Sequence, residues 1–226
     1  MSVIGLITAR AGSKRIPDKN VRTLGGRPLI CWTFESATEA RSLDRVVLST
    51  DCPYMAHLAR QQGVEVPFLR PAELAGDHSS HDDVVRHAVE ALEGVEWVVL
   101  LQPTSPFRSA GDIDAAVELA RRTGDAVIGV AEAPAPLALM WQPSAAGTLR
   151  PLQSPDGTYI RSQDQPPVYY TNGALYVFSR EQAVGGSILE SRLRPYVMPA
   201  DRSLDIDTLE DFDRAELRFG GVRRAA

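Results

Sequence analysis

An α/β domain, built as a mostly parallel sheet with helices on both faces, is the fold class this sequence predicts. Two patterns carry the expectation. Short apolar runs rich in β-branched residues alternate with amphipathic stretches long enough for helices. The runs are continuously apolar, as strands covered on both faces are. The size agrees, since 226 residues with 44% hydrophobic content suit one such domain or one with a modest insertion. At this size folding buries roughly 70% of the surface of the unfolded chain, so no disulfide or metal staple is needed.

Val3–Thr8 is the first strand, ending in a glycine-containing cationic loop. Pro28–Ala40 follows as a helix, with Leu29, Ile30, Trp32, Phe34 and Ala37 on one face and Pro28 suited to the first turn. Arg45–Ser49 predicts a second strand, Pro53–Gln62 a helix closed by Gly63, and Val64–Leu69 a third strand. Asp82–Leu92 is helical, Trp97–Leu101 is the most apolar strand, Asp112–Arg122 is helical and Ala126–Ala131 is again a strand. From about 132–168 the chain is rich in Pro, Gly, Ser and Gln. It is read as an irregular or β-rich insertion in an otherwise single domain of residues 1–226. Gly173–Phe178 returns as a strand, Leu209–Phe219 is a closing helix, and Gly220–Ala226 is expected to fray. No internal repeat is present.

The charge balance narrows the function. Twenty-four basic against 29 acidic residues give a net charge of −5, without the basic face a nucleic-acid binder needs. Cys31 and Cys52 have no disulfide or zinc spacing and read as small buried hydrophobes. The longest apolar run is too short to cross a bilayer, and the first residues lack the basic lead of a signal peptide. A soluble, cytoplasmic protein is expected. His78, His81 and His87 lack the spacing of a metal site and are read as structural or solvent-facing.

Three segments carry the chemistry. Thr8–Asn20 (TARAGSKRIPDKN) places Arg10, Lys14, Arg15 and Lys19 around Gly12 and Ser13 at a strand's carboxyl end, where open α/β sheets bind ligands. Gly12 would admit an anion to the backbone N–H groups and the cations would neutralise it; a solvated loop fits the same composition. The Walker spacing is absent. Leu101–Arg108 (LQPTSPFR) offers Gln102, Thr104 and Ser105 on a proline-stiffened loop, suited to a polyhydroxylated ligand or to a capped turn before the next helix. In Ser203–Asp207 (SLDID), Asp205 and Asp207 stand at i and i+2, one side of an extended segment, and can converge on a hard cation. Asp207 also fits a helix N-cap.

In order along the chain, the opening loop, PFLRP at Pro67–Pro71, LQPTSP at Leu101–Pro106, YTNGA at Tyr170–Ala174 and LDIDTLEDF at Leu204–Phe212 resemble the acylneuraminate cytidylyltransferase family. The resemblance implies a Rossmann-like α/β nucleotidyltransferase fold, a homodimer formed partly through the 132–168 insertion, and a defined reaction. CTP and an acidic nine-carbon nonulosonic acid would give the CMP-sugar and pyrophosphate, with Mg²⁺ as cofactor. By position, Arg10 and Lys14 would meet the triphosphate, with Gly12 and Ser13 beside it. Lys19 would meet the reacting phosphate. Asn20, Arg70, Ser79 and Ser80 would form the nucleotide pocket. Gln102, Thr104, Ser105, Tyr170, Asn172 and Gly173 would line the sugar side, and Asp205 and Asp207 would hold the metal. Arg161 would reach the sugar carboxylate. Ala11 stands where the family commonly has glycine, which fits only if its φ is negative. A cytidylyltransferase for an octulosonate, or a non-catalytic sugar-nucleotide binder, are the rival readings. Trp141 and Pro136–Met140 complete either the core or a dimer contact.

Overall fold

The structure is a computed structural model that describes residues 2–76, 79–152, 165–186, 189 and 192–225. Its first half contains β1 (Ser2–Thr8), a small ribbon of β2 (Thr23–Leu24) and β3 (Arg27–Pro28), α1 (Leu29–Thr38), β4 (Arg45–Ser49), α2 (Pro53–Gln61), α3 (His81–Glu90) and β5 (Val95–Leu101). The second half contains α4 (Ala110–Thr123), β6 (Ala126–Glu132), a hairpin of β7 (Trp141–Pro143) and β8 (Leu149–Pro151), and β9 (Tyr169–Ser179). It closes with α5 (Arg180–Gly185), β10 (Leu193–Val197) and α6 (Leu209–Ala225). Six strands form one sheet in the order β10-β6-β9-β5-β1-β4. β1 pairs in parallel with β4 and β5, and β10 with β6. β9 runs antiparallel between β5 and β6.

Side-chain alternation along β1 builds two cores. Val3 and Ile7 face α1, α2 and α4 in one cluster with Phe34, Met55 and Ile113. Ile4 and Leu6 face α3 and α5 in a second cluster with Val85, Val89 and Ala183. A third, smaller cluster joins Ile16, Leu24 and Leu29 to Ile206, Phe212 and Ala215, seating α6 under the opening loop. Gly25 makes that seat close: its φ is +59° and an added Cβ would lie 2.8 Å from the Phe219 ring.

Three element expectations change. Val64–Leu69 makes only an isolated bridge from Glu65 to Val47, because Pro67 cannot continue a ladder and the chain turns to bring Arg70 inward. The segment of about 132–168, expected to be irregular or β-rich, holds the β7–β8 hairpin, while 153–164 lie outside the described residues. β9 begins at Tyr169, four residues before the expected Gly173. Gly220–Ala226 was expected to fray, yet α6 continues to Ala225. α5 and β10 were not anticipated. Among the described residues no helix is long and apolar enough to cross a membrane.

Candidate active site

The carboxyl ends of β1, β4 and β5 meet at an open cleft of about 500 Å³. The opening loop reaches it because Ile16, fully buried in the α6 cluster, pins the middle of an otherwise cationic segment. Asp51, just beyond β4, accepts a hydrogen bond from Ala11 N at 3.0 Å. Asn20 is buried and donates to the Arg10 carbonyl at 3.2 Å, tying the loop's two ends together. Asp18 is the one described non-glycine residue with positive φ, so Ala11 is accommodated without left-handed strain. Gly12 has no positive φ, and an added Cβ would meet nothing within 4 Å; the loop conformation itself makes no demand for glycine there.

Arg10, Ser13, Lys14, Arg15, Lys19 and Asn20 line the cleft together with Arg70, Ser79, His81, Gln102, Thr104 and Asp207. Lys19 is largely buried and fixed: its Nζ donates to the Ile206 carbonyl at 2.8 Å and to Asp207 Oδ1 at 3.2 Å. Arg15 contacts the other Asp207 oxygen at 3.2 Å. Arg70 is buried and donates to Ser49 Oγ at 3.1 Å. Burial lowers its pKa to about 10, with Asp51 opposing the shift and Arg10 adding to it, so it stays cationic at neutral pH.

The acidic segment is docked on the 102–108 loop by Ile206 N donating to the Thr104 carbonyl at 2.8 Å. Asp205 is buried deeply enough that desolvation raises its pKa, against a hydrogen bond from Thr104 and the nearby charge of Lys19. Its Oδ1 has no hydrogen-bond partner among the described residues. Asp207 is not the helix cap: Thr208 fills that role, exchanging bonds with Asp211 through Asp211 N to Thr208 Oγ1 at 3.2 Å and Thr208 N to the Asp211 carboxylate at 2.9 Å. Asp207 is therefore free to face the cations.

Several expected ligand-facing residues serve the scaffold instead. Ser80 caps α3, accepting from Asp83 N at 3.0 Å. Ser105 is fully buried and donates to the Asn172 carbonyl at 3.2 Å. Asn172 is also buried, donating to Ser203 Oγ at 3.0 Å and accepting from Ala174 N at 3.1 Å. Both hold the cleft floor to the acidic segment rather than presenting polar atoms to a ligand. Gly173 is required sterically: its φ is +68°, and a Cβ would lie 2.8 Å from Gln102 Oε1 and 3.3 Å from Asp205 Oδ2. Tyr170 is exposed beside Ala131 and does not line the cleft. Arg161 and His78 lie outside the described residues.

His81 corrects another expectation, lining the cleft with Nδ1 3.4 Å from Gln102 Nε2. Burial, helped by the positive charge of Arg70, lowers its pKa, so the ring is neutral at physiological pH. Asp51 and Arg108 also bear on the site without having been assigned to it. Asp51 stands outside the quoted motifs and holds Ala11 of the opening loop, and Arg108 closes LQPTSPFR but finds its acceptor, the Ala174 carbonyl, in a distant segment.

An open α/β sheet whose strand ends gather a cluster of cations beside Asp207 is an arrangement that suits the binding of a phosphorylated nucleotide. The chain belongs to the cytidylyltransferase family, which it matches over residues 4–216. It is 34% identical to a CMP-N,N'-diacetyllegionaminic acid synthase of Legionella pneumophila over 96% of this chain and 95% of that protein. It is 33% identical to an N-acylneuraminate cytidylyltransferase of Streptococcus agalactiae over 94% of this chain, though it spans only 52% of that longer protein. A pseudaminic acid cytidylyltransferase of Campylobacter jejuni is 28% identical over 97% of both chains. A solved CMP:2-keto-3-deoxy-manno-octonic acid synthetase in complex with CTP shares the fold at a TM-score of 0.73 and 17% identity, covering 98% of this chain and 99% of that one. The expected nucleotidyltransferase fold and cytidylyltransferase activity hold.

Proposed function

We propose that this cytidylyltransferase couples CTP to the anomeric hydroxyl of an acidic nine-carbon sugar, releasing pyrophosphate and forming a CMP-nonulosonic acid. The observation that carries the reading is the meeting of the cationic loop and the acidic segment: Lys19 bridges Ile206 and Asp207 at the cleft that Arg10, Lys14, Arg70 and Gln102 also line. Three relatives matching over nearly the whole chain act, by their names, on legionaminic, neuraminic and pseudaminic acids, which supports a nonulosonic acceptor.

In this reading Arg10 and Lys14 neutralise the charge that gathers on the departing pyrophosphate, and Lys19 faces the α-phosphate. Asn20, Arg70 and Ser79 hold the nucleoside, and Gln102 and Thr104 hydrogen-bond the sugar. Positioning and charge neutralisation account for most of such a transfer. Asp205 and Asp207 fit a divalent cation: both are hard oxygen donors, and Asp205 Oδ1 is buried without a partner. Among the described residues no cluster of three or more His, Cys, Asp or Glu side chains forms, so a bound Mg²⁺ would draw further ligands from water and phosphate oxygens. Mg²⁺ there would supply charge neutralisation and acidify the attacking hydroxyl. A homodimer, formed through the apolar face around the β7–β8 hairpin, belongs to the same reading.

Pyrophosphate release is measured with CTP and Mg²⁺ against a panel of nonulosonic and octulosonic acids, beginning with a legionaminic acid. Turnover with a nonulosonic acid, abolished by EDTA, is expected. Turnover confined to an octulosonic acid, or CTP binding with no turnover on any sugar, would overturn the assignment.

A further inference from the structure

Arg108 has a buried guanidinium with no role in the reading above. The whole residue is 3% exposed. Its Nη1 donates to the Ala174 carbonyl at 2.6 Å and to the Gln102 carbonyl at 3.3 Å, and Nη2 reaches Ser36 Oγ of α1 at 3.5 Å. Its Nε has no hydrogen-bond partner among the described residues. Among the described residues no carboxylate pairs with it directly. The electrostatically closest, Asp112, is already engaged by Arg202, Ser109 and Tyr196. Burial pulls the Arg108 pKa down to about 9. A cation sequestered on neutral acceptors is a poor device for stability, since a well-packed apolar side chain serves at least as well.

What distinguishes Arg108 is where its acceptors belong. Gln102 directly follows β5 and lines the cleft; Ala174 follows the left-handed turn at Gly173. The two segments already touch across that glycine, where even a methyl group would press on Gln102 Oε1 and Asp205 Oδ2. Nη1 bridges the two carbonyls while Nη2 of the same rigid plane reaches Ser36 of α1, so the bridge is oriented against a third element, which the freely rotating ammonium of a lysine does not reproduce.

We propose that Arg108 is a positioning residue for the acceptor side of the cleft, its guanidinium locking the Gln102 end of β5 to the Gly173 turn of β9. The inference rests on the reading that Gln102 meets the sugar and Asp205 the cation. Among the described residues, Asn20, Arg70 and Asp51, which hold the nucleotide side, bond to other partners than Arg108.

Arg108→Met and Arg108→Lys are compared with the wild type in melting temperature, CTP affinity by calorimetry, and steady-state kinetics with varied sugar. Arg108→Met is expected to bind CTP within about threefold of wild type while kcat/KM for the sugar falls roughly 100-fold. Arg108→Lys keeps the charge and loses the fork, so it falls in the same direction by roughly tenfold. A folded Arg108→Met with wild-type sugar kinetics, or a loss shared equally by CTP binding, overturns the proposal. If Arg108→Met does not fold, Arg108→Lys decides, and wild-type sugar kinetics in it are equally fatal. Should the wild type turn over no acidic sugar, the functional reading has failed separately. Mn²⁺ affinity of the CTP complex then reads the lock through Asp205: weaker binding in Arg108→Lys supports it and equal binding overturns it.

Discussion

Asp205 and Asp207 stand two residues apart, yet their surroundings divide their work. Asp205 is desolvated, with one oxygen unpartnered and the other against Gly173; Asp207 is 52% exposed and answers Lys19 and Arg15. Exposed ion pairs of the Asp207 kind contribute about 0–1 kcal/mol to stability. Asp207→Ala should therefore shift the melting temperature by no more than about 4 °C while pyrophosphate release falls at least about 100-fold. Differential scanning fluorimetry and a coupled pyrophosphate assay check the two halves, and near-normal turnover would remove Asp207 from the chemistry. The i, i+2 spacing made this pair legible from sequence, and Thr208 three residues before Asp211 settles why Asp207 is not spent as a cap. Ser105 and Asn172 were not legible as scaffold. They look as ligand-facing as Gln102 and Thr104, and only the bonds from Ser105 Oγ to the Asn172 carbonyl, across 67 positions, and from Asn172 Nδ2 to Ser203 Oγ, across 31, show that both side chains are spent on the scaffold.

Elements came through the sequence where burial gives them a continuous apolar signature, as in β1, β5 and β6, and failed where it does not. β10 (LRPYV) reads poorly as a strand because it carries Arg194 and Pro195. Both are tolerable on a sheet edge, and β10 has only β6 as a neighbour. The antiparallel course of β9 was equally hidden, since its apolar core, Ala174–Phe178, has the same composition in either direction. The start of α4 was displaced by two residues, and the reason is a network around Asp112. Ser109 caps the helix, Asp112 closes the capping box, Tyr196 Oη donates to Asp112 at 3.0 Å, and Arg202 pairs with the same carboxylate. This joins α4, β10 and the turn leading to Asp205. Burial raises the Asp112 pKa, but the bonds from Ser109, Arg202 and Tyr196 outweigh it and hold the carboxyl below its ordinary 3.8. A depressed carboxylate stabilises the fold above its unfolded pKa and loses that contribution as pH falls through the folded value. Asp112→Asn should thus destabilise the protein by about 1.5–3 kcal/mol at pH 7, with the gap to wild type closing below pH 3.8. Urea unfolding of both proteins at neutral and acidic pH measures it; a gap that does not narrow in acid would mean the carboxylate charge is not what Asp112 contributes.

At the scale of the whole molecule, the sheet sends the loops that line the cleft to one end, and among the described residues an apolar face lies exposed elsewhere. Trp141 is 52% exposed, Leu139 46%, Leu149 66% and Tyr169 41%, all in or beside the β7–β8 hairpin and the first residues of β9. The hairpin pairs only with itself and adds no strand to the main sheet, so its shape is not explained by the core of one chain. Large contiguous apolar patches on a folded chain mark interfaces, and the sequence left this segment divided between core and contact. Its exposure removes the first option for these four side chains. A second copy of the chain seated on that face, as the proposed homodimer requires, would cover all four side chains. Light scattering behind size exclusion should give twice the 24.6 kDa of one chain. Trp141→Glu should move the mass toward that of the single chain at micromolar protein. Because Trp141 lies outside the core clusters, intrinsic stability should change by no more than about 0.5 kcal/mol. CTP affinity, which the proposed function assigns to Arg10, Lys14 and Arg70 of one chain, should be unchanged by the same substitution. A wild-type protein that elutes as one chain at all concentrations, or a Trp141→Glu protein that stays double, would show that this face is not the subunit contact.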